Sequence, residues 1–383
     1  MREEEAKTEG DAVTEGKALN GSDVTREGSE GGLPGRAAAP EMLRGGPGGD
    51  GRGRGKGGKR GRGGRGGRGE QLMAPPAEFE SYYGRPVIKA PAWRARDIAG
   101  YFFLGGLAGA GSVLAAGAHA TGRTTTATAM KISSLAGVSL STAALVNDLG
   151  RPGRFANMLR VVKPTSPMSV GSWLLAAYGP AAGAAAASAV TGKLPRAGVL
   201  ATGAAALLGP AVATYTAVLA ADTAVPAWHG AHRELPYLFA ASATAAASGT
   251  ALVVGPVRET GPARCAAVLA AVADEAVTKA VERRLGMVAE TWHQGRAGTL
   301  LRTARTLTAA GAAVGAAFGG RSRTLAAAGG LALLAGSACT RFGVFAAGIA
   351  SAEDPKYTVV PQRAAKEARR TTPTHSAERT QPT

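Results

Sequence analysis

Between Asn147 and Trp173 the chain reads NDLGRPGRFANMLRVVKPTSPMSVGSW, its densest run of groups that can form directed hydrogen bonds or carry charge. Asn147 and Asp148 lie four and three residues before Arg151, so on a helix end all three share one face. Pro152 then stops that helix, because it lacks the amide proton and clashes with the preceding turn. Pro164 and Pro167 shape the return into the next apolar stretch and leave Ser169 and Trp173 one turn apart. Asp148, Arg151, Arg154, Asn157, Lys163, Ser166, Ser169 and Trp173 thus bring a carboxylate, guanidinium groups, an ammonium, hydroxyls and an aromatic toward one end of their helices. The set can hold a polar ligand, or it can anchor helix ends at a membrane surface through Arg and Trp.

A second group lies inside or beside apolar stretches: Asp222 with Trp228 and His229, and Asp274, Glu275, Lys279 and Glu282 together. An ionised side chain at mid-bilayer costs about 2.5–3.5 kcal/mol on insertion scales, so such groups pair, line water, or mark a proton or substrate path. Glu275 and Lys279 are four apart and can neutralise each other. Asp222, His229, Asp274, Glu275 and Lys279 are therefore candidates for a proton path, the other reading being a paired cluster at a shallow helix end. Cys265 and Cys339 stand far apart in apolar runs and form no metal or iron–sulfur pattern. His119, His229, His232 and His293 fall near span ends or in loops and offer no clear facing pairs for b-type haem.

These residues need a scaffold, and the average composition hides it. The 383-residue chain has 45% hydrophobic residues and a mean hydropathy of +0.01, but both ends are polar, so the middle is far more apolar than the mean. Apolar windows recur at about 98–119, 128–148, 169–191, 197–221, 235–257, 262–281, 299–319 and 324–350. Most have the roughly 20 residues that cross a hydrocarbon core. A soluble Ala-rich bundle would show polar residues at the helical period, yet Leu174 to Val190 has no charge on any face. The expected fold is all-α, a polytopic transmembrane bundle of about eight spans. Gly105-Gly106-x-x-Gly109 and Gly311-x-x-x-Gly315 let its helices approach closely.

Four regions follow: an arm over 1–75, a juxtamembrane segment over 76–97, the bundle over 98–350 and a polar tail over 351–383. The arm lacks core-forming side chains and includes a Gly/Arg tract, so it is expected to be disordered. Such tracts can bind single-stranded nucleic acid, but aromatic residues are missing until Phe79. A tether on anionic lipid, or no partner at all, is the preferred reading, and nucleic acid is disfavoured. Met1 is followed by charged residues, so no cleavable signal peptide is expected. Lys and Arg are more frequent in the loops on the side of the termini, which points to both termini being cytoplasmic in a multi-pass cell-membrane protein.

The runs YYGRPVIKAPAW (82–93), YFFLGGLAGAGS (101–112), DLGRPGRFANMLRVVKPTSPMSVGSW (148–173) and TRFGVFAAGIASAEDPKYTVVPQR (340–363) closely resemble the NrfD family, membrane subunits of polysulphide-reductase-like and formate-dehydrogenase-like complexes. The resemblance covers about residues 80–363 and omits the Gly/Arg arm. It implies a membrane anchor without haem or metal of its own that interacts with menaquinone or another membrane quinone. It also implies an iron–sulfur partner subunit and a molybdopterin catalytic subunit, while the chain alone has no turnover with a soluble donor. Quinone chemistry moves two electrons and two protons and needs donors to two carbonyl oxygens with a titratable relay to water. The eight residues from Asp148 to Trp173 are compatible with its headgroup end. A small-solute or ion transporter is the alternative, although the paired broken helices of such transporters are not evident.

Overall fold

The computed structural model describes residues 86–150 and 153–371. The arm over 1–75, Arg151 and the last residues of the tail lie outside the described residues. The described residues contain helices and no strand. They form α1 (Ala95–Ala120), α2 (Thr124–Asp148), α3 (Gly153–Met158), α4 (Pro167–Thr191), α5 (Pro195–Ala221), α6 (Pro226–His229), α7 (Leu235–Val254), α8 (Gly261–Leu285), α9 (Glu290–His293), α10 (Gly295–Phe318), α11 (Arg323–Glu353) and α12 (Lys356–Thr371).

Helix boundaries follow local chemistry. Proline opens α4, α5 and α6 and stands in the first turn of α7 and α8, where its missing N–H would be unpaired in any residue. Gly192 ends α4 in the left-handed region at φ 69°, a conformation open to glycine at little cost. The Ser322 side chain accepts the Leu325 N–H at the start of α11. Pro180 and Pro210 sit inside α4 and α5 without ending them, as membrane helices tolerate when neighbouring groups satisfy the freed carbonyls.

Among the described residues, eight helices have 20 or more residues. Six of them, α1, α2, α4, α5, α7 and α11, are long and apolar enough to cross a membrane. The other two, α8 and α10, are long enough but carry Asp274, Glu275, Lys279, Glu282, Arg302 and Arg305 along their length. The long helices form two rings of four. In the first, α1 packs on α2, α2 on α4, α4 on α5 and α5 on α1; in the second, α7, α8, α10 and α11 close in the same cyclic order. The rings meet where α7 lies against α1 and α5, and α11 against α1.

Glycines set the tightest crossings. A Cβ on either Gly109 or Gly209 would run into the other's carbonyl oxygen where α1 crosses α5, and Gly249 and Gly330 do the same for α7 and α11. Close backbone approach of this kind replaces the hydrophobic driving force that lipid does not supply between helices.

The alternating path of the long helices gives the bundle two unlike ends. Short turns at 121–123, 192–194, 255–260 and 319–322 close the narrow end, whereas residues 149–150, 153–166, 222–234 and 286–294 with α12 build a wide end. Bulky aromatics fill the wide half: Tyr101, Phe102, Trp228, Phe239, Trp292 and Phe345 are buried in one cluster. The narrow half packs mainly on alanine and a few larger residues such as Met130 and Leu333. The described part of the polar tail expected from residue 351 is largely helical: α11 runs to Glu353, and α12 follows with an apolar stripe of Tyr357 and Val360.

Candidate functional site

The wide-end termini of α1 and α2 hold a joined set of polar groups. Asp148 Oδ1 accepts the Arg94 backbone N–H at 3.3 Å, and Asn147 Nδ2 donates to Asp97 Oδ2 at 3.0 Å. Asp97 is buried in the first turn of α1, where the helix's unpaired N–H groups favour a negative charge. Asp148 is half-buried, and Arg94 supplies its one hydrogen bond among the described residues.

The rest of the polar loop is arranged differently. Arg154 Nη1 donates to the Leu149 carbonyl at 2.9 Å. Ser169 Oγ accepts the Lys163 N–H at 3.0 Å and donates to the Val161 carbonyl at 3.1 Å, so this hydroxyl clasps the loop to the start of α4. Ser166 is half-buried and its N–H donates to the Lys163 carbonyl at 3.0 Å. Arg154, Asn157, Lys163 and Trp173 are exposed. Among the described residues no hydrogen bond ties Asp148 to Lys163, Ser169 or Trp173. The structure joins Asp148 to Asn147, Arg94 and Asp97 through the α1–α2 end, and keeps the later residues on the open side of the loop.

The second candidate set divides into three. Asp222 caps α5 and is exposed, and in the same loop His229 Nδ1 lies 3.1 Å from the Ala221 carbonyl. His229 also lines a groove of about 510 Å³ with Arg284, Met287, Tyr357, Thr358 and Pro361. Glu275 pairs with Lys279 at 3.1 Å and with Arg305 of α10 at 3.5 Å. Asp274 is buried, facing the interior of the second ring. Arg305 continues the network to Glu282 at 2.7 Å, and His293 approaches Glu282 at 3.6 Å. These pairings neutralise Glu275 and Glu282 and tie α8 to α10 through Arg305.

At the wide end Glu290 holds α12 in place. It accepts from Lys356 Nζ at 2.7 Å, from Gln294 at 2.7 Å and from the Tyr357 hydroxyl at 3.2 Å. Hydrogen bonds from Lys356 and Gln294 hold its carboxyl below the usual carboxylate range, and the same bond raises the Lys356 ammonium. Burial, then the Glu290 charge, pushes the Tyr357 phenol up.

Two charged residues did not figure among the sequence candidates, although each stands alone in an apolar window. Arg341 of α11 is wholly buried: its Nη2 donates to the Phe239 carbonyl, while Nε and Nη1 have no hydrogen-bond partner among the described residues. Lys131 of α2 is buried inside the first ring. A lone cation in an apolar run was the available signal for both.

No curated protein matches the chain. Residues 92–261 match the family described as polysulphide reductase, NrfD. That match spans the whole first ring, the Asp148 loop and α7, so over these residues the chain is similar to the NrfD family, and with the six apolar helices it indicates a multi-pass membrane protein.

Proposed function

We propose that this chain is the haem-free, quinone-interacting membrane subunit of a polysulphide-reductase-like complex. In this reading it passes electrons between an iron–sulfur partner subunit and membrane quinone, with a molybdopterin subunit as the catalytic partner. The observation that carries the proposal is the half-buried Asp148 carboxylate at the α1–α2 end, within the segment that matches the family. It is held by one long backbone hydrogen bond and sits beside the Asn147–Asp97 pair. A headgroup site needs a few placed polar groups in a largely apolar setting, and the aromatic cluster of the wide half supplies that setting.

Quinone, when bound, supplies the two-electron, two-proton redox chemistry. The protein's part is to bind and orient the headgroup and to move protons. Asp148 exchanges a proton with one headgroup oxygen, and Asn147 keeps the α1 and α2 ends in register. Arg154, Asn157 and Lys163, exposed on the loop, donate hydrogen bonds from the open side, with Arg151, Ser166, Ser169 and Trp173 completing the loop's contribution. Asp274, buried in the second ring, Glu275 and Lys279 on the more open face of α8, and Asp222 and His229 in the wide-end loop after α5 are the proton-path residues of this proposal.

In this account all eight long helices cross the membrane, α8 and α10 being tolerated because their charges pair with each other. The wide end faces the cytoplasm, where Lys89, Arg94, Arg96, Arg160, Lys163, Arg233, Arg283 and Arg284 gather. The composition of the native complex tests the proposal. Purification from membranes should yield an iron–sulfur subunit, a molybdopterin subunit and extractable quinone. A protein that runs alone and catalyses solute uptake in vesicles would establish the transporter reading instead.

A further inference from the structure

An open groove of about 770 Å³ starts at the narrow end and is lined by no residue that the quinone account uses. Gly261, Arg264, Cys265, Val268 and Leu269 of α8 line it, at the spacing i, i+3, i+4, i+7, i+8 that makes one stripe of a helix. The stripe reaches about 12 Å from the start of α8. Ala316 near the end of α10 and Arg123 of the α1–α2 turn complete the lining. Cys265, Val268 and Leu269 are exposed, so the groove opens outward, and lipid faces it where α8 crosses the membrane.

Its narrow-end mouth carries two half-buried arginines without partners. Among the described residues neither the Arg123 nor the Arg264 guanidinium makes a hydrogen bond or an ion pair. Arg264 lies against the Gly319–Gly320 turn, where a Cβ on Gly320 would run into its guanidinium. Shape thus fixes the group while its charge stays free. Two other arginines of this end are engaged: Arg321 donates to the Ala317 carbonyl at 3.3 Å, and Arg323 donates to the carbonyls of Leu252 and Val253. The acid of the narrow-end turns is Glu259, beside Arg258; it accepts the Thr126 N–H at 2.8 Å and forms no ion pair with Arg123 or Arg264 among the described residues. The negative end of the α10 dipole favours an arginine at position 264, but it explains neither Arg123 nor the apolar stripe that continues below.

We infer that this groove holds one anionic phospholipid, with its phosphate at Arg123 and Arg264 and an acyl chain along Val268 and Leu269. Guanidinium groups bind phosphate through paired N–H donors, and basic pockets between membrane helices recognise anionic headgroups. The first turn of α8, which has no side-chain cap, adds N–H groups of the same polarity. A soluble phosphate would leave the apolar stripe uncovered, whereas a lipid covers the stripe and neutralises the arginines together. The inference rests on α8 crossing the membrane and is independent of the quinone role given to Asp148.

Native mass spectrometry of the full-length protein in detergent, titrated with phosphatidylglycerol or with phosphatidylcholine of the same acyl chains, tests the site. One phosphatidylglycerol should bind about tenfold more tightly than phosphatidylcholine, as fits hydrogen bonds to a charged partner. Arg123→Gln or Arg264→Gln should remove that preference, and Ala316→Trp should exclude the lipid by filling the groove. Arg196→Gln, exposed at the start of α5, should bind as the wild type does. In a Cys339→Ala background, phosphatidylglycerol should also slow maleimide labelling of Cys265, which locates the lipid even if an arginine variant fails to fold. Glycerol phosphate, which lacks the chains, should give neither effect. Equal affinity for the two lipids, an equal loss in Arg196→Gln, unslowed labelling of Cys265, or protection by glycerol phosphate as strong as by the lipid would overturn the inference. None of these measurements involves electron transfer, so failure here leaves the quinone reading standing, and the reverse also holds.

Discussion

The Arg341 guanidinium lies 3.8 Å over the Phe239 ring, and its Nη2 donates to the carbonyl of that same residue at 2.6 Å. One residue of α7 thus holds a charge from α11 by both its ring and its backbone, where the two rings of helices meet. Among the described residues no hydrogen bond reaches Nε or Nη1, and no ion pair holds the guanidinium. Replacing a buried charge by an apolar side chain of similar volume is often neutral or stabilising. Arg341→Met is therefore expected to assemble normally and melt no lower than the wild type. A melting temperature well below that of the wild type would show that the contacts of the guanidinium with Phe239 stabilise the α7–α11 junction.

The contact of α12 with Glu290 has a defined pH range. Because the folded Glu290 carboxyl titrates below its ordinary value, its contribution is complete above the unfolded carboxylate range near about 4.3 and is lost as pH falls through the depressed value. Because the folded Lys356 ammonium is raised, its contribution is complete below about 10.4 and is lost as pH rises through the raised value. Hydrogen exchange of α12 amides, corrected for intrinsic rates, should show constant protection between about pH 5 and 10 and weaker protection in stronger acid. In Glu290→Gln the acid-dependent loss should disappear.

Packing at the glycine crossings is tested by size alone. Gly109→Leu would drive a side chain into the backbone of α5, and overpacking of this kind costs typically 1–3 kcal/mol. Gly203→Leu, on α5 with nothing within 4 Å of its Cβ position, should leave the protein as stable as the wild type. Yield and melting temperature in detergent provide the comparison. Equal losses in both variants would show that the crossing does not limit stability.

Much of this architecture was legible because lipid imposes simple rules on sequence. The eight apolar windows fall on the eight long helices of the described residues, six of them apolar enough to cross a membrane, and the Gly105-Gly106-x-x-Gly109 pattern pointed to close helix approach without naming the partner helix. Length and composition could not say how α8 and α10 make their charges tolerable, because the partners of Glu275 and Glu282 include Arg305, a residue on another helix. Within the polar loop, spacing grouped Asp148 with Asn147 and Arg151, and Ser169 with Trp173. The fold also joins Asp148 to α1 through Arg94, a contact 54 residues apart in the chain that no local pattern encodes. Arg341 and Lys131 were visible as lone charges in apolar runs, but only the packing shows that neither has a counter-charge in contact. Helix α12 was hidden for a different reason: its polar face outweighs its apolar stripe, and Glu290, which fixes it, lies in another loop.

The quinone assignment rests most heavily on Asp148, and Asp148→Asn tests it while keeping the shape of the side chain. The measurement is quinone-linked electron transfer in membranes, normalised to the amount of assembled complex. If Asp148 holds a headgroup and relays its proton, the normalised rate should fall roughly tenfold or more, as expected for loss of a charged hydrogen-bonding partner, with assembly intact. A reduced amount of complex in the membrane with an unchanged normalised rate would contradict the account and reduce the residue to a helix-end anchor.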